Sequence, residues 1–462
     1  MPEQLKNAIE KTFEFSLNSN QFKDLERLIF EISRIERISP DVVLNHLKNT
    51  VDTSRYTGRN KFFALKNALI SRRFPLTSSH HKIDTKDVFL TKIKKPLSSD
   101  WKVKKTFVPS EIYVEKDVVK SRLLENFTRK FPSAKVKKIP HVSLYLKGNP
   151  FNITDLKKPI VFIVKEWGDF VKPCPCTKFH IGCGYWIFNL GFGCPYDCSY
   201  CFLQQYSNFP GIILPANIKD FFEKFDEFSS KLKKPIRIGT GEFCDSLALD
   251  QITEYSKQLI PYFKGKNVLF ELKTKSNQIN NLLKFKPPKN VIISWSLNPQ
   301  SLIDTEEIAA ASLNQRLTSA KTLQKHGYKV AFHFDPIIYS QGWEKLYKAV
   351  VAKLYEYVSP PFSWISLGSL RSNRQLKTIN ESRFPNSNIF YSELLLGEDK
   401  KLRYPKFLRA QIYKNMIKWI RKEDKKTAVY LCMESKDLWN ELGDFDSTKK
   451  VETYLIKKNI WK

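Results

Sequence analysis

Between residues 185 and 370 the chain repeats one pattern, a short run rich in β-branched and aromatic residues followed by a stretch long enough for a helix. The runs are YWIFNL (185–190), PIRIGT (235–240), NVLFELKT (267–274), NVIISWSLN (290–298), YKVAFHFDPII (328–338) and FSWISLGSL (362–370). Strands spaced in this way are joined by right-handed crossovers and lie parallel in one sheet. About six such units leave two α/β architectures, a doubly wound sheet or a partial (β/α) barrel. In both, chemistry gathers at the carboxyl ends of the strands. No repeat at a solenoid period and no low-complexity tract interrupts the series.

The flanks have a different texture. Phe22, Leu25, Leu28, Ile29, Ile32 and Ile35 recur at helical spacing, and Ser39-Pro40 supplies a cap and first-turn pair for a further helix. A second apolar series runs through Phe62, Phe63, Leu65, Leu69 and Ile70. Residues 1–75 therefore read as a helical N-terminal extension, and 76–106, opening in PLTSSHHKIDTKD (75–87), as a linker with His80 and His81 solvated. Residues 107–175 read as an N-terminal α/β region, 176–380 as the barrel, and 381–462 as a basic, aromatic C-terminal region.

Composition narrows the partners. The chain of 462 residues carries a formal charge of +30, and its 77 basic residues are spread along the whole length. Such a field favours polyanions, of which nucleic acid is the commonest large one. The apolar runs are too short to cross a bilayer and the start is charged and helical, so a cytoplasmic protein without membrane contact is expected.

Cysteine placement argues against a disulfide scaffold. Six of the eight lie between Cys174 and Cys201, and Cys194, Cys198 and Cys201 fall within GFGCPYDCSYCF (191–202), directly after the first strand. In a reducing compartment clustered thiols read as metal ligands. One reading is a zinc site, completed to four ligands by Cys174, Cys176 or Cys183. The other is a [4Fe–4S] cluster held by three thiolates, with one iron left open to substrate or cofactor.

CPYDCSYC resembles the cluster loop of the radical S-adenosylmethionine (SAM) enzymes. FVPSEIYVEK, CSYCFLQ, TKSNQINNLL, SLNPQSLI, LNQRLTSA and DPIIYSQGWEKLY, in order from about Phe107 to beyond Trp439, resemble spore photoproduct lyase and its relatives. The resemblance implies a partial (β/α)6 radical SAM barrel with a C-terminal hairpin at the lesion. Cys194, Cys198 and Cys201 would hold a [4Fe–4S] cluster whose open iron chelates SAM. It also implies a lyase acting on UV-damaged DNA, with an electron donor such as flavodoxin or ferredoxin. GTGE (239–242) is similar to the family's Gly-rich turn, so Glu242 would meet the SAM amino group. Lys275 would pair with the SAM carboxylate, and Ser296 and Asn298 would contact its amino acid or ribose. Tyr200 would lie beside the cofactor.

Two departures stand out. Phe202 occupies a position where the family's repair enzymes carry tyrosine, and Glu242 stands where they carry the hydrogen-donating cysteine. Cys244 is the thiol in that loop and the candidate donor, since residues two apart in extended chain share a face about 6.5 Å apart. CPCTKFHIGCGYW (174–186) adds three thiols, read as structural or auxiliary-redox groups ahead of a second cluster. In the C-terminal region Arg403 and Tyr404, before an amphipathic helix through Ile412, Met416 and Ile420, are the candidates to reach nucleic acid. Another nucleic acid substrate for the same radical chemistry, or a zinc-bound nucleic acid-binding protein, are the rival readings.

Overall fold

A computed structural model describes residues 2–97, 106–443 and 445–459. The chain forms two compact units. One comprises Asp100–Leu370 and Ala410–Lys462, the other Met1–Ser99 and Arg371–Arg409.

The larger unit holds two sheets. The first is parallel, built from β1 (Glu111–Glu115), β2 (Lys135–Ile139), β3 (Ile160–Val164) and β6 (Ile212–Pro215), in the order β2-β1-β3-β6. Every residue of β3, IVFIV, is buried, as an inner strand covered on both faces requires. The second sheet contains β4 (Val171–Pro173), β5 (Tyr185–Phe188), β7 (Ile236–Gly239), β8 (Val268–Thr274), β9 (Val291–Ser296), β10 (Lys329–Ile337), β11 (Trp364–Ser369) and β15 (Ala428–Leu431). Its order is β15-β11-β10-β9-β8-β7-β5-β4, and it curls into a half-barrel. All neighbours are parallel except β4, which runs antiparallel to β5.

The six expected strands are all present and in the expected order. One crossover departs from the pattern, because β8 and β9 are joined by a single 3-10 turn, Leu282–Lys284, in place of a helix. The helix Leu313–His326 shows why the other crossovers form where they do. Ser312 accepts from the Gln315 amide, Gln315 caps Ser312 in return, and Gly327 ends the helix with φ 108°.

The smaller unit packs the helices Pro2–Phe13, Ser19–Glu36, Pro40–Thr50 and Arg59–Arg73 around one apolar core. It also contains the helix Arg374–Arg383 and an antiparallel sheet of β12 (Arg371–Ser372), β14 (Leu402–Arg403) and β13 (Leu395–Leu396). The first part of the stretch read as a linker is structured, while residues 98–105 of it lie outside the described residues. Pro75–His80 is a helix, for which proline at the first turn is pre-organised, and the buried Thr77 hydroxyl donates to Glu393 at 2.6 Å. Ile83 and Val88 enter the same core. His80 is exposed, with its ring stacked on Phe407 at 3.9 Å.

Within this unit five charges are buried together. Glu31 accepts from Arg27 Nε at 2.7 Å, Arg73 Nε at 2.6 Å and Lys377 Nζ at 2.6 Å, and Arg27 also pairs with Glu381. Burial by itself would raise the Glu31 carboxyl, but the three cations hold it below the usual carboxylate range.

Candidate active site

The cysteine loop leaves the first barrel strand along a path that only glycine permits. Phe192 exchanges both backbone hydrogen bonds with Ile213 of β6, at 3.0 and 2.8 Å. Gly191 and Gly193 have φ of 124° and 97°. A Cβ on Gly191 would lie 2.6 Å from the Ile213 carbonyl oxygen, and one on Gly193 2.9 Å from that of Gly211. Beyond them the loop is pinned internally. The Cys201 amide donates to the Cys198 carbonyl at 3.1 Å, the Ser199 amide to the Glu306 carbonyl at 2.9 Å, and Gln204 Nε2 to Asp197 at 2.6 Å.

Cys194, Cys198 and Cys201 sit close enough that their charges act on one another. Burial first, and then neighbouring negative charge, raises the pKa of all three, that of Cys198 to about 12. Among the described residues no three His, Cys, Asp or Glu side chains are gathered as a single metal ion would require, but three thiols supplied by one loop are the donor set of a larger thiolate-bound cluster. One cation is already at hand, with Lys275 Nζ 3.7 Å from Cys198 Sγ.

Lys275 belongs to a buried network at the carboxyl ends of β8 and β9. Its ammonium donates to the Tyr200 hydroxyl at 2.7 Å and lies 3.4 Å from Glu307 Oε1. The Tyr200 hydroxyl donates to Glu307. Asn298 Nδ2 donates to Glu307 at 2.8 Å and to the Tyr200 oxygen at 3.3 Å, while Asn298 Oδ1 accepts from Tyr347 at 2.7 Å. Arg316 closes the far side, bonding Glu307 Oε2 at 2.5 Å, the Ser296 carbonyl at 2.9 Å and the Ala311 carbonyl at 2.8 Å. Burial would raise Glu307, but Arg316 and Lys275 outweigh it and hold the carboxyl at about 2. Burial, followed by Glu307, pushes the Tyr200 phenol well up, so it keeps its proton. Two cations against one carboxylate leave this wall of the site one positive charge in excess.

These contacts refine the expected roles. Asn298 is 1% exposed and both ends of its amide are occupied within the protein, so it braces Tyr200 and Glu307 and offers no open group to a cofactor. Ser296 is buried at the end of β9, its carbonyl held by Arg316. The glycines of GTGE serve the sheet. A Cβ on Gly239 would meet the Tyr185 hydroxyl at 2.1 Å, and one on Gly241 the Lys273 carbonyl at 2.6 Å. Glu242 is half-buried, and its charge acts on Cys201, Cys174 and Lys273.

The expectation for Cys244 assumed extended backbone. Residues 241–246 bend and are not extended, so the two-residue rule for a common face does not apply. The Cys244 thiol points to the carbonyls of Thr240 at 3.5 Å and Leu190 at 3.9 Å. It lines a cavity shared with Gly193 and Pro195 of the cysteine loop, Ile212 and Leu214 of β6, and Tyr255 of the helix Tyr255–Phe263. Arg403 and Tyr404 also differ from expectation. They are 3% and 1% exposed within the smaller unit, where Arg403 bonds Asp399 at 2.7 Å, so neither is presented to a polyanion. Arg403 lies in β14, the middle strand of the small sheet, and Tyr404 follows it into the core, which their basic, aromatic composition did not reveal.

Sequence reasoning passed over Glu307, Arg316 and Tyr347, and also Asp245. Asp245 shapes the loop after β7 by accepting from Thr274 Oγ1 at 2.5 Å and from the amides of Lys275, Leu247 and Ala248 at 2.7, 3.0 and 2.9 Å. Arg316 lies inside the quoted LNQRLTSA, and a basic residue within a capped apolar helix was the available signal. Deeper in the barrel, His333 bonds Glu271 at 2.7 Å, and Arg237 sits among the rings of Trp364, Tyr430 and Tyr185 at 4.2, 5.2 and 5.4 Å.

Residues 157–436, more than half of the chain, match the family model for spore photoproduct lyase. The chain belongs to the spore photoproduct lyase family. A spore photoproduct lyase from Clostridium acetobutylicum is 26% identical over 219 residues, covering 46% of this chain and 64% of that protein. One from Bacillus subtilis is 24% identical over 263 residues, 54% of this chain and 73% of the relative. Among solved structures, spore photoproduct lyase complexed with dinucleoside spore photoproduct superimposes with a TM-score of 0.61 at 20% identity, covering 70% of this chain and 99% of that one. A double mutant with bound AdoMet and the same dinucleoside matches equally well, which establishes the spore photoproduct lyase fold for the barrel.

Proposed function

We propose that this chain is a radical SAM lyase that repairs spore photoproduct in UV-damaged DNA. Family membership supports the reading, and one observation carries it: three cysteines on a glycine-shaped loop at the carboxyl end of the first barrel strand. In this reading Cys194, Cys198 and Cys201 hold a [4Fe–4S] cluster. When bound, the cluster and SAM supply a carbon radical able to take a hydrogen atom from the substrate.

The protein's own part is to hold and exclude. Lys275 brings positive charge beside Cys198 and, with Ser296 at the end of β9, faces the amino-acid end of SAM. Glu242 offers a carboxylate to its ammonium group. Glu307 and Asn298 fix the Tyr200 hydroxyl, and Arg316 keeps Glu307 ionised. Tyr200 therefore lines the site as a neutral phenol in one orientation, with water kept out. The +30 charge of the whole chain fits a DNA partner, and flavodoxin or ferredoxin fits as electron donor. No helix among the described residues is long and apolar enough to cross a membrane.

The test is anaerobic turnover. The cluster-loaded protein is given SAM, a strong reductant and dinucleoside spore photoproduct, and 5′-deoxyadenosine and thymine products are measured. Both are expected. Deoxyadenosine without thymine recovery would keep the enzyme class and remove this substrate in favour of another nucleic acid lesion. Stoichiometric zinc in place of iron and sulfide would remove the class.

A further inference from the structure

Burial of Arg403 and Tyr404 leaves open which surface of this basic chain meets DNA. The segment from Lys165 to Lys172, which joins the carboxyl end of β3 to the edge strand β4, has the features of one. It leaves β3 on a fixed path. The buried Glu115 carboxylate, at the end of β1, accepts from the Lys165 and Val142 amides, both at 2.8 Å. The Glu166 amide and carbonyl both bond the Asn217 side chain at 2.8 Å. Glu166 Oε1 then accepts from three successive amides, those of Trp167, Gly168 and Asp169, each at 3.0 Å. Asp169 in turn accepts from Asn189 Nδ2, just after β5, at 2.9 Å.

This pinned turn carries Trp167, which is 60% exposed. One exposed ring means little by itself, but its setting singles this one out. Lys165 Nζ lies 4.0 Å from the ring centroid, a cation–π contact that covers one face. A ring covered on one face and still so exposed turns its other face to solvent. The turn is also tied to the cluster loop. Lys172 pairs with Asp169 and lies 4.3 Å over the Phe243 ring. Phe243 stacks on Phe192 with centroids 5.7 Å apart, and its carbonyl accepts from the Gly193 amide at 3.0 Å. Phe202, the residue after Cys201, meets Phe243 edge-on at 6.1 Å. Trp167 stands five residues before Lys172, and that length of chain spans at most about 18 Å. At roughly 3.4 Å per stacked nucleotide, this reach covers about five nucleotides of one strand.

We propose that Trp167 and Lys165 form a platform for DNA flanking the lesion. Trp167 stacks on an unpaired base a few nucleotides from the one at the cluster, and Lys165 meets the adjoining phosphate. An open indole face beside an ammonium suits this partner, since stacking is tolerant of sequence and the charge neutralises the backbone. Drawing a lesion out of a duplex unpairs it, and unstacked neighbours then need a surface. The assignment rests on the repair reading above and gives it a footprint wider than the lesion.

The experiment uses the full-length, cluster-loaded chain. A labelled single-stranded oligonucleotide of about 12 nucleotides, carrying one central spore photoproduct, is compared with dinucleoside spore photoproduct. Binding of the oligonucleotide is read by fluorescence anisotropy across a salt titration, and turnover by thymine recovery. Trp167→Ala should weaken oligonucleotide binding by about 5- to 100-fold, the range of one base–aromatic stack. The ratio of kcat/KM for oligonucleotide over dinucleoside should fall by the same factor. Trp167→Phe keeps a stacking face and should recover most of the loss. Lys165→Gln should reduce the slope of log K against log salt by about 1, on damaged and undamaged DNA alike. Phe179→Ala removes a ring that is 86% exposed on the β4–β5 loop, at the amino end of β5, and should change neither binding nor the ratio. Equal oligonucleotide binding by wild type and Trp167→Ala, or an equal loss from Phe179→Ala, overturns the platform. So does a Trp167→Ala defect seen only with a protein electron donor and absent with a chemical reductant, which would make the ring a docking site for that donor. A wild type that binds the oligonucleotide and recovers no thymine would strike instead at the repair reading, on which the binding comparison does not depend.

Discussion

Two buried charge clusters, one in each unit, are built from the same residue types and do different things. In the helical unit Glu31 is surrounded by Arg27, Arg73 and Lys377, and the cluster closes within the protein, Arg73 also donating to the Ser392 carbonyl at 3.2 Å. At the barrel mouth Glu307 is gripped by Arg316 from behind, but its other cation, Lys275, keeps a partly exposed side chain and turns toward Cys198 and Tyr200. A closed cluster specifies packing, whereas an open one keeps a charge available to a ligand. Burying ions is costly in both, so neither is evidence of stability by itself. The difference lies in where the unused charge points.

The comparison can be broken most severely at Glu31. Glu31→Ala strands three buried cations and should cost roughly 3–5 kcal/mol, read as a lowered urea midpoint of the helical unit. Deoxyadenosine formation by the protein that remains folded should not change; a parallel loss would mean the closed cluster also serves the site. Lys275→Met is the reverse case. Deoxyadenosine formation should drop by about 100-fold with little change in the urea midpoint, as expected when a preorganised charge is removed. Gly239→Ala probes the frame beneath the open cluster, and the clash with the Tyr185 hydroxyl should cost roughly 1–3 kcal/mol in the urea midpoint of the barrel unit. The mildest probe is acid. Glu307 ionises at about 2 in the fold and near 4.5 when unfolded, so the unfolded chain binds its proton first as pH falls. The stabilisation is complete above pH 4.5 and is lost toward pH 2. Urea midpoints of wild type and Glu307→Gln, compared across that window, should differ in slope, and parallel curves would place the acid sensitivity elsewhere.

What could be read in advance followed the range of the interactions. The six barrel strands are local patterns, and the structure holds them where the sequence put them. The three cluster-loop cysteines lie within eight residues and needed no fold to be noticed. The Lys275–Glu307–Arg316 network joins residues 32 and 9 positions apart through the curl of the sheet, which no periodicity encodes. AVYL (428–431) follows a basic helix and is too short to announce itself as the seventh parallel strand. PLTSSH looks like a linker because its polar groups look free; Glu393, over 300 residues away, takes the Thr77 amide and hydroxyl. At Cys244 a bend replaces the extended backbone that the sequence suggested.

The division of the chain has a consequence for how this protein could change over time. Arg371–Arg409 lies between β11 and β15 in sequence yet belongs with the N-terminal helices. Lys377 and Glu381 therefore depend on Glu31 and Arg27, residues encoded some 350 positions earlier. Removing the N-terminal helices would leave a lysine, a glutamate and their apolar neighbours unmatched in the middle of the catalytic half. The helical unit is thus not a detachable prefix, and its gain or loss requires a coordinated change at two separate places in the gene.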